Sequence, residues 1–337
     1  MAYIALFDAA DLLNDISLAN LDLVEKDDES GEWVETGEVL LDDGELSALM
    51  DFSDDWMQGY QNGTYSVEEA SELAKLEKPE MQKFVAPQDE EGNFLISTRE
   101  QFATYRYIAS ERNANASAKL MNDIDMVGVA MKPFGHNRSG ENAVHIYRGD
   151  LDGQGHTLAN VYIDESRTES GEPATLFYEL KGSTVKNLRL TGEYFNSRAE
   201  SFMGGLTRWT SESSTVDNCE IAVVMHSYKQ GDGTHGGVVG VSGTGTVINN
   251  CLVNVTMIGE AESPTYQCGG VCGWAASTPT ITNTLILSKY ENITKGVNGN
   301  VISRNGYNAS NVYYVQSATG PTDEPFDTGG TLATEGT

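Results

Sequence analysis

Beyond residue 150 the chain alternates apolar and polar positions in short runs, and each run opens on the same four-residue phrase. The copies are Thr157-Leu158-Ala159-Asn160, Thr184-Val185-Lys186-Asn187, Thr215-Val216-Asp217-Asn218, Thr246-Val247-Ile248-Asn249 and Thr280-Ile281-Thr282-Asn283, with a degenerate sixth at Ala309-Ser310-Asn311. Their Asn positions are 27, 31, 31, 34 and 28 residues apart, Asn249 and Asn250 being interchangeable. The residues that follow, such as Val161/Ile163, Leu188/Leu190 and Ile221/Val223, repeat with period two, which predicts strands. A near-constant period with tolerated insertions predicts stacked units whose extra residues go into loops.

A second series precedes the phrase: Gly204-Gly205-Leu206, Gly236-Gly237-Val238, Gly269-Gly270-Val271 and a weaker Gly299-Asn300-Val301. Arg208 stands where Gly240 and Gly273 stand in the other copies. Two strand series per period, with glycines at the corners, predict a mainly β chain folded as a right-handed parallel β-helix over residues 149–317. Upstream, the capping box Ser97-Thr98-Arg99-Glu100 and the spacing of Phe102, Tyr105, Ile108 and Ala109 predict a helix. Residues 93–148 therefore read as a helical cap leading into the first coil through a strand at Lys119–Met126.

Residues 1–92 read as a separate, acidic, mostly helical attachment domain. Leu12, Leu13, Ile16, Leu18 and Leu21 form an apolar stripe, and Ser66-Val67-Glu68-Glu69 opens a helix that Pro79 ends. A hairpin between Trp33-Val34-Glu35 and Val39-Leu40-Leu41 is the alternative for the middle. Residues 318–337, rich in Gly, Thr and Pro without apolar period, read as a flexible tail.

The run Leu151-Asp152-Gly153-Gln154-Gly155-His156-Thr157-Leu158, the Gly-Gly-aliphatic series and the Thr-aliphatic-x-Asn phrase together resemble the GLUG-repeat β-helix proteins common on gut bacteria. Lys119 to Phe134, with Asn122-Asp123-Ile124-Asp125, looks like the opening coil of that group. The resemblance covers about residues 95–317. It implies the fold and no shared reaction, because the family is described by its repeat.

Charge narrows the partners. The formal charge is −29, and residues 1–91 carry 25 acidic against 4 basic side chains. Such a surface repels phosphate backbones and anionic membranes, so no nucleic-acid partner is expected. A basic assembly partner for residues 1–92 is the functional reading of the excess, and solubility the structural one. The sequence has no run of 18 apolar residues, hence no expected membrane span. The opening Met1 to Asp8 has no basic n-region, so no signal peptide is expected. The four cysteines fit small apolar fillers better than a disulfide or zinc pattern.

Candidate chemistry is sparse. Asp123, Asp125, Asp150, Asp152 and His156 are the most enzyme-like group, since β-helices host pectinolytic lyases and hydrolases that use clustered carboxylates. Turn composition around Asp152-Gly153-Gln154-Gly155 favours structural caps instead. The Asn series fits stacked bend residues, and His136, His145, His226 and His235 show no metal spacing. No catalytic residue, metal or cofactor is expected from these motifs. Aromatics near the loops are the binding candidates: Tyr178, Tyr194, Trp209, Tyr228, Tyr266 and Trp274, because sugar rings stack on exposed aromatic faces. The expectation is a non-catalytic adhesion or recognition module that binds a polysaccharide, surface glycan or receptor. It would be extracellular, displayed on a bacterial surface or a phage particle. The alternatives are a structural virion component and a polysaccharide lyase or hydrolase. Phage fibres of this architecture imply a homotrimer by resemblance.

Overall fold

The computed structural model describes residues 19–42, 84, 86–136, 146–167, 173–196 and 202–334. From Phe94 the chain winds into a mainly β, parallel solenoid of about six turns. One stack of strands runs Phe94–Ile96, Ala118–Leu120, Leu151–Asp152, Thr184–Lys186, Thr215–Asp217, Val247–Asn249 and Thr280–Ile286, each parallel to the next. A second stack follows a bend: Ile124–Asp125, Thr157–Asp164, Arg189–Asn196, Glu220–Ser227 and Thr256–Gly259. A third sheet holds Phe177–Lys181, Thr207–Ser211, Val239–Ser242 and Cys272–Ala275.

Parallel pairing puts like positions of successive repeats above one another. Val185, Val216, Ile248 and Ile281 thus form one fully buried column. Each contributes about 1.5–3 kcal/mol by leaving water, and a slip of one residue would turn polar neighbours inward.

The bend between the first two stacks is made by the Asn of the repeated phrase. Asn160, Asn187, Asn218, Asn250, Asn283 and Asn311 all hold φ between 49° and 56°, the left-handed region that Asn tolerates. In the fourth copy Asn250, not Asn249, takes this conformation. Side-chain amides hydrogen-bond along the axis: Asn218 Nδ2 donates to Asn187 Oδ1 at 2.8 Å, and Asn187 Nδ2 donates to Asp152 Oδ1 at 2.9 Å. Asp125 likewise accepts from Asn160 at 2.8 Å. Carboxylates only accept, so Asp125 and Asp152 end the series at the first coils. A second corner requires glycine, because a Cβ at Gly237 would overlap the carbonyl oxygen of Gly270 on the next coil.

The helix expected after Ser97 forms, but the wider helical expectations need correction. Among the described residues the sole α-helix is Arg99–Tyr107, continued by a π-turn at Ile108–Arg112. It is no cap domain. It is the crossover between the adjacent parallel strands Phe94–Ile96 and Ala118–Leu120, and it buries Phe102 and Tyr105 against Phe134 inside the first turn. The cap also shifts by one residue: Gln101 N donates to Thr98 Oγ1 at 3.2 Å, and Gln101 Oε1 accepts from Ser97 N at 2.6 Å.

Beyond Ala19, the described residues of the N-terminal segment form no helix. They make an antiparallel hairpin, Asp22–Lys26 with Trp33–Val39. Asp27 sets its turn by accepting from Glu29 N and Ser30 N at 3.0 and 2.7 Å, and Gly31 supplies φ of 72°. The helices expected around Leu12–Leu18 and Ser66–Leu76 lie outside the described residues. The hairpin extends the solenoid: Val24 N donates to Gly128 O at 2.8 Å and Ala130 N to Asp22 O at 2.9 Å.

At the other end, composition predicts a flexible tail, but residues 316–334 close the last coil. Phe326 is 2% exposed and packs edge-on against Tyr290 at 4.7 Å. Thr331–Leu332 then pairs with Tyr313–Tyr314. All four cysteines are free and buried, as fillers should be.

Candidate functional site

The third sheet carries two partly exposed tryptophans in one register. Its register aligns Glu179, Trp209, Val241 and Trp274 on successive coils. The two tryptophans are partly exposed, while Val241 between them is 1% exposed. Their backbones are two rungs, about 9.6 Å, apart, so each indole stands alone rather than packing on the other.

The adjacent position along each strand is Tyr178, Arg208, Gly240 and Gly273. Glycine is required in the last two, since a Cβ would come within 2.7 Å of Arg208 O at Gly240 and 2.6 Å of Thr234 O at Gly273. On the Thr207–Ser211 strand the Arg208 guanidinium lies over Tyr178 at 4.8 Å and Phe202 at 5.1 Å. Phe202 in turn meets Trp209 edge-on at 6.1 Å. Tyr178 is thereby 7% exposed, a floor beneath Arg208.

Trp274 has its own cation. Arg304 lies 4.4 Å from the indole centroid and is 4% exposed. A buried guanidinium must be paired, and here the pairing is bidentate. Nη1 donates to Asp232 Oδ1 at 2.6 Å and Nη2 to Asp232 Oδ2 at 2.9 Å, with Gln267 O accepting from Nη1 at 2.9 Å. Thr234 Oγ1 donates to the same Asp232 Oδ1 at 2.8 Å. Thr234 and Gln267 hold φ of 47° and 61°, conformations that a β-branched Thr rarely adopts.

A second polar cluster lies where the hairpin meets the solenoid. His226 stacks on Phe195 at 4.3 Å with 4° between planes. Its Nδ1 is 2.6 Å from Glu260 Oε1 and its Nε2 3.1 Å from Glu193 Oε1. Both partners, when ionised, only accept, so the geometry suits a ring protonated on both nitrogens. Burial pulls its pKa down, but the two glutamates outweigh that and hold it above its ordinary value. Glu193 is lowered, first by His226 and also by Trp33, whose Nε1 donates to Glu193 Oε2 at 3.0 Å. Trp33 also rests on Tyr162 at 4.7 Å, and Arg167 pairs with Glu35 of the hairpin.

The six candidate aromatics therefore separate. Tyr178, Trp209 and Trp274 share the third sheet. Tyr194 is fully buried in the core and offers no face to a ligand. Tyr228, 45% exposed, lies on the His226 flank. Tyr266 sits on the short strand Thr265–Tyr266, between Gly231–Asp232 and Ile293–Thr294. Arg304, Asp232, Glu193 and Glu260 were not singled out by sequence, and His226 was set aside.

The carboxylates that looked enzyme-like are committed to the coils. Asp123 Oδ1 accepts from Thr157 N at 2.8 Å, Asp150 Oδ1 from Thr184 N at 2.7 Å and Asp152 Oδ1 from Gln154 N at 2.9 Å. The Thr157 hydrogen bond lowers the pKa of Asp123, so this group is no proton reservoir near neutrality. A serine–histidine pair also exists: Ser227 Oγ is 2.6 Å from His235 Nε2, and burial pushes that histidine down to about 4. Both residues are 1% exposed, which denies a substrate access. Among the described residues no three metal-ligating side chains converge, and no helix is long and apolar enough to cross a membrane.

No family model and no curated protein matches the chain, so the GLUG resemblance stands on its sequence motifs. One similar solved structure is a putative immunoglobulin A1 protease from Bacteroides ovatus. It aligns at TM-score 0.53 with 16% identity, over 73% of this chain and 86% of the other. That likeness shows the solenoid fold alone.

Proposed function

We propose that the solenoid is a non-catalytic recognition module, displayed on a cell surface or particle, whose third sheet binds an extended glycan. The observation that carries this reading is the register of Trp209 and Trp274. Two isolated, partly exposed indoles stand on one rigid sheet, each beside a cation–aromatic pair. Indoles offer large apolar faces with little rotamer entropy to lose, and sites on strands hold their geometry better than sites on loops. An extended sugar chain running along the solenoid axis would meet one indole, cross Val241, and meet the other.

Glycan-array screening followed by calorimetry on the best neutral oligosaccharide tests this. Trp209→Ala and Trp274→Ala are each expected to weaken binding at least tenfold, and Tyr228→Ala, on the other flank, to leave it unchanged. A folded protein that binds no glycan on the array would refute the proposal.

A further inference from the structure

Resting on that reading, we infer that the subsite at Trp274 takes a neutral, hydroxyl-rich sugar and rejects carboxylated ones, with Asp232 as the residue that decides. Two arginines on the sheet suggest the opposite at first sight, since guanidinium forks are the usual receptors for sugar carboxylates. Arg304, however, commits both Nη atoms, and its Nε is buried without a partner. Both of its Nη atoms donate to Asp232, and the remaining contacts of Nη1 go to Gln267 O and Thr234 Oγ1. The guanidinium is 4% exposed beneath the indole, whereas the Asp232 side chain is 43% exposed. What faces an incoming ligand beside Trp274 is thus the carboxylate and not the cation.

Lone-pair accounting says what that carboxylate can do. Oδ1 accepts from Arg304 Nη1 and Thr234 Oγ1 and is saturated. Oδ2 accepts from Arg304 Nη2, and the Thr234 backbone N–H donates to the same carboxylate. With 43% of its side chain exposed, the carboxylate suits an O–H donor next to an aromatic face, which is the pattern of a pyranose: an apolar C–H face for the indole and a hydroxyl at its rim. A uronate or sialic acid would set its carboxylate against Asp232 instead, with the chain's charge of −29 adding to the repulsion.

The bidentate pair also fixes the subsite. It ties the Gly231–Asp232 strand to the segment after Val301, across 72 residues, and holds the guanidinium against one face of Trp274. Trp274 itself keeps part of its surface exposed.

The test compares a neutral mannan-derived hexasaccharide with an oligogalacturonate hexamer, by calorimetry at 20 and 200 mM salt. Wild-type protein is expected to prefer the neutral ligand at least tenfold, with no salt dependence. Asp232→Asn is expected to weaken neutral binding about tenfold and to strengthen oligogalacturonate binding at least tenfold, because the Arg304 charge is uncovered. Wild-type protein that binds the oligogalacturonate as tightly as the neutral hexamer overturns this inference while leaving glycan recognition standing. Failure of both ligands, and of every array glycan, overturns both. An Asp232→Asn variant that folds yet keeps the wild-type preference also overturns it. Should that variant not fold, the wild-type preference and its salt dependence still decide.

Discussion

Replacing His226 by Gln isolates the cluster that joins three coils to the hairpin. The wild-type imidazolium makes two charge-assisted hydrogen bonds, to Glu193 and Glu260, while stacked on Phe195. Hydrogen bonds to charged groups contribute about 1.5–3 kcal/mol each before the solvent exposure of the partners is discounted. Both glutamates are partly exposed, and Gln keeps one donor, so the expected loss is about 2 kcal/mol. For a chain of 337 residues that corresponds to roughly 3 °C in melting temperature. The pH dependence is the sharper test. The folded pKa of His226 is raised from 6.5, so its contribution is fully present below about pH 6.5 and is lost as pH rises through the folded value. A neutral ring donates once and turns a lone pair toward the other carboxylate. Glu193 has a folded pKa lowered from 4.5, so its share is present above about pH 4.5 and lost as pH falls through the folded value. The difference between wild-type and His226→Gln melting temperatures should therefore peak between about pH 4.5 and 6.5 and shrink as pH rises through the raised folded value. Differential scanning calorimetry of both proteins across pH 4–9 measures this directly. A difference that stays constant from pH 5.5 to 9 would show that the ring acts by packing on Phe195 alone, and the charge reasoning would fall.

Two further outcomes follow from the packing. Gly237→Ala places a methyl against Gly270 O on the next coil and 2.6 Å from Val253 Cγ1 across its own turn, and is expected to cost about 3 kcal/mol in urea unfolding; a cost under 1 kcal/mol would mean the corner is not tight. Burial pushes the thiol of Cys251 up to about 11 and that of Cys268 up to about 12, so Ellman's reagent at pH 8 should find no reactive thiol in the native protein and four in guanidinium. Rapid labelling of any one of them in the native state would contradict that burial.

The solenoid was legible because its determinants repeat. Six Asn residues at one bend and a period-two apolar series fix both the turn and the register. The hairpin was less legible. Its strands are short and mostly exposed, so the pattern of Trp33–Val39 carries almost no apolar alternation, and the turn depends on Asp27 capping its own backbone. The closing segment was misread for a related reason: one phenylalanine, Phe326, secures it, and a single residue has no period.

The site was half legible for a reason specific to solenoids. Trp209 and Trp274 are legible as aromatics near the loops, and each follows the first glycine of its repeat by five residues, as Val241 does. His226 was set aside because no partner lay at helical or metal-ligand spacing, yet its partners are 33 and 34 residues away, one coil before and one coil after. The same interval joins Asn218 to Asn187 at 31, Ser211 to Glu179 at 32 and Asn283 to Asn249 at 34. In a helix, polar partners lie three or four residues apart; here the equivalent interval is the coil period. Read at that spacing, outward-facing Glu193 and Glu260 flank His226 in the bare sequence. Arg304 and Asp232 escape even this reading, because they are 72 residues apart and belong to loops whose lengths differ between coils. Specificity placed in such loops varies without disturbing the ladders, which fits a scaffold that keeps its indoles on a strand and its charge pair at the edge.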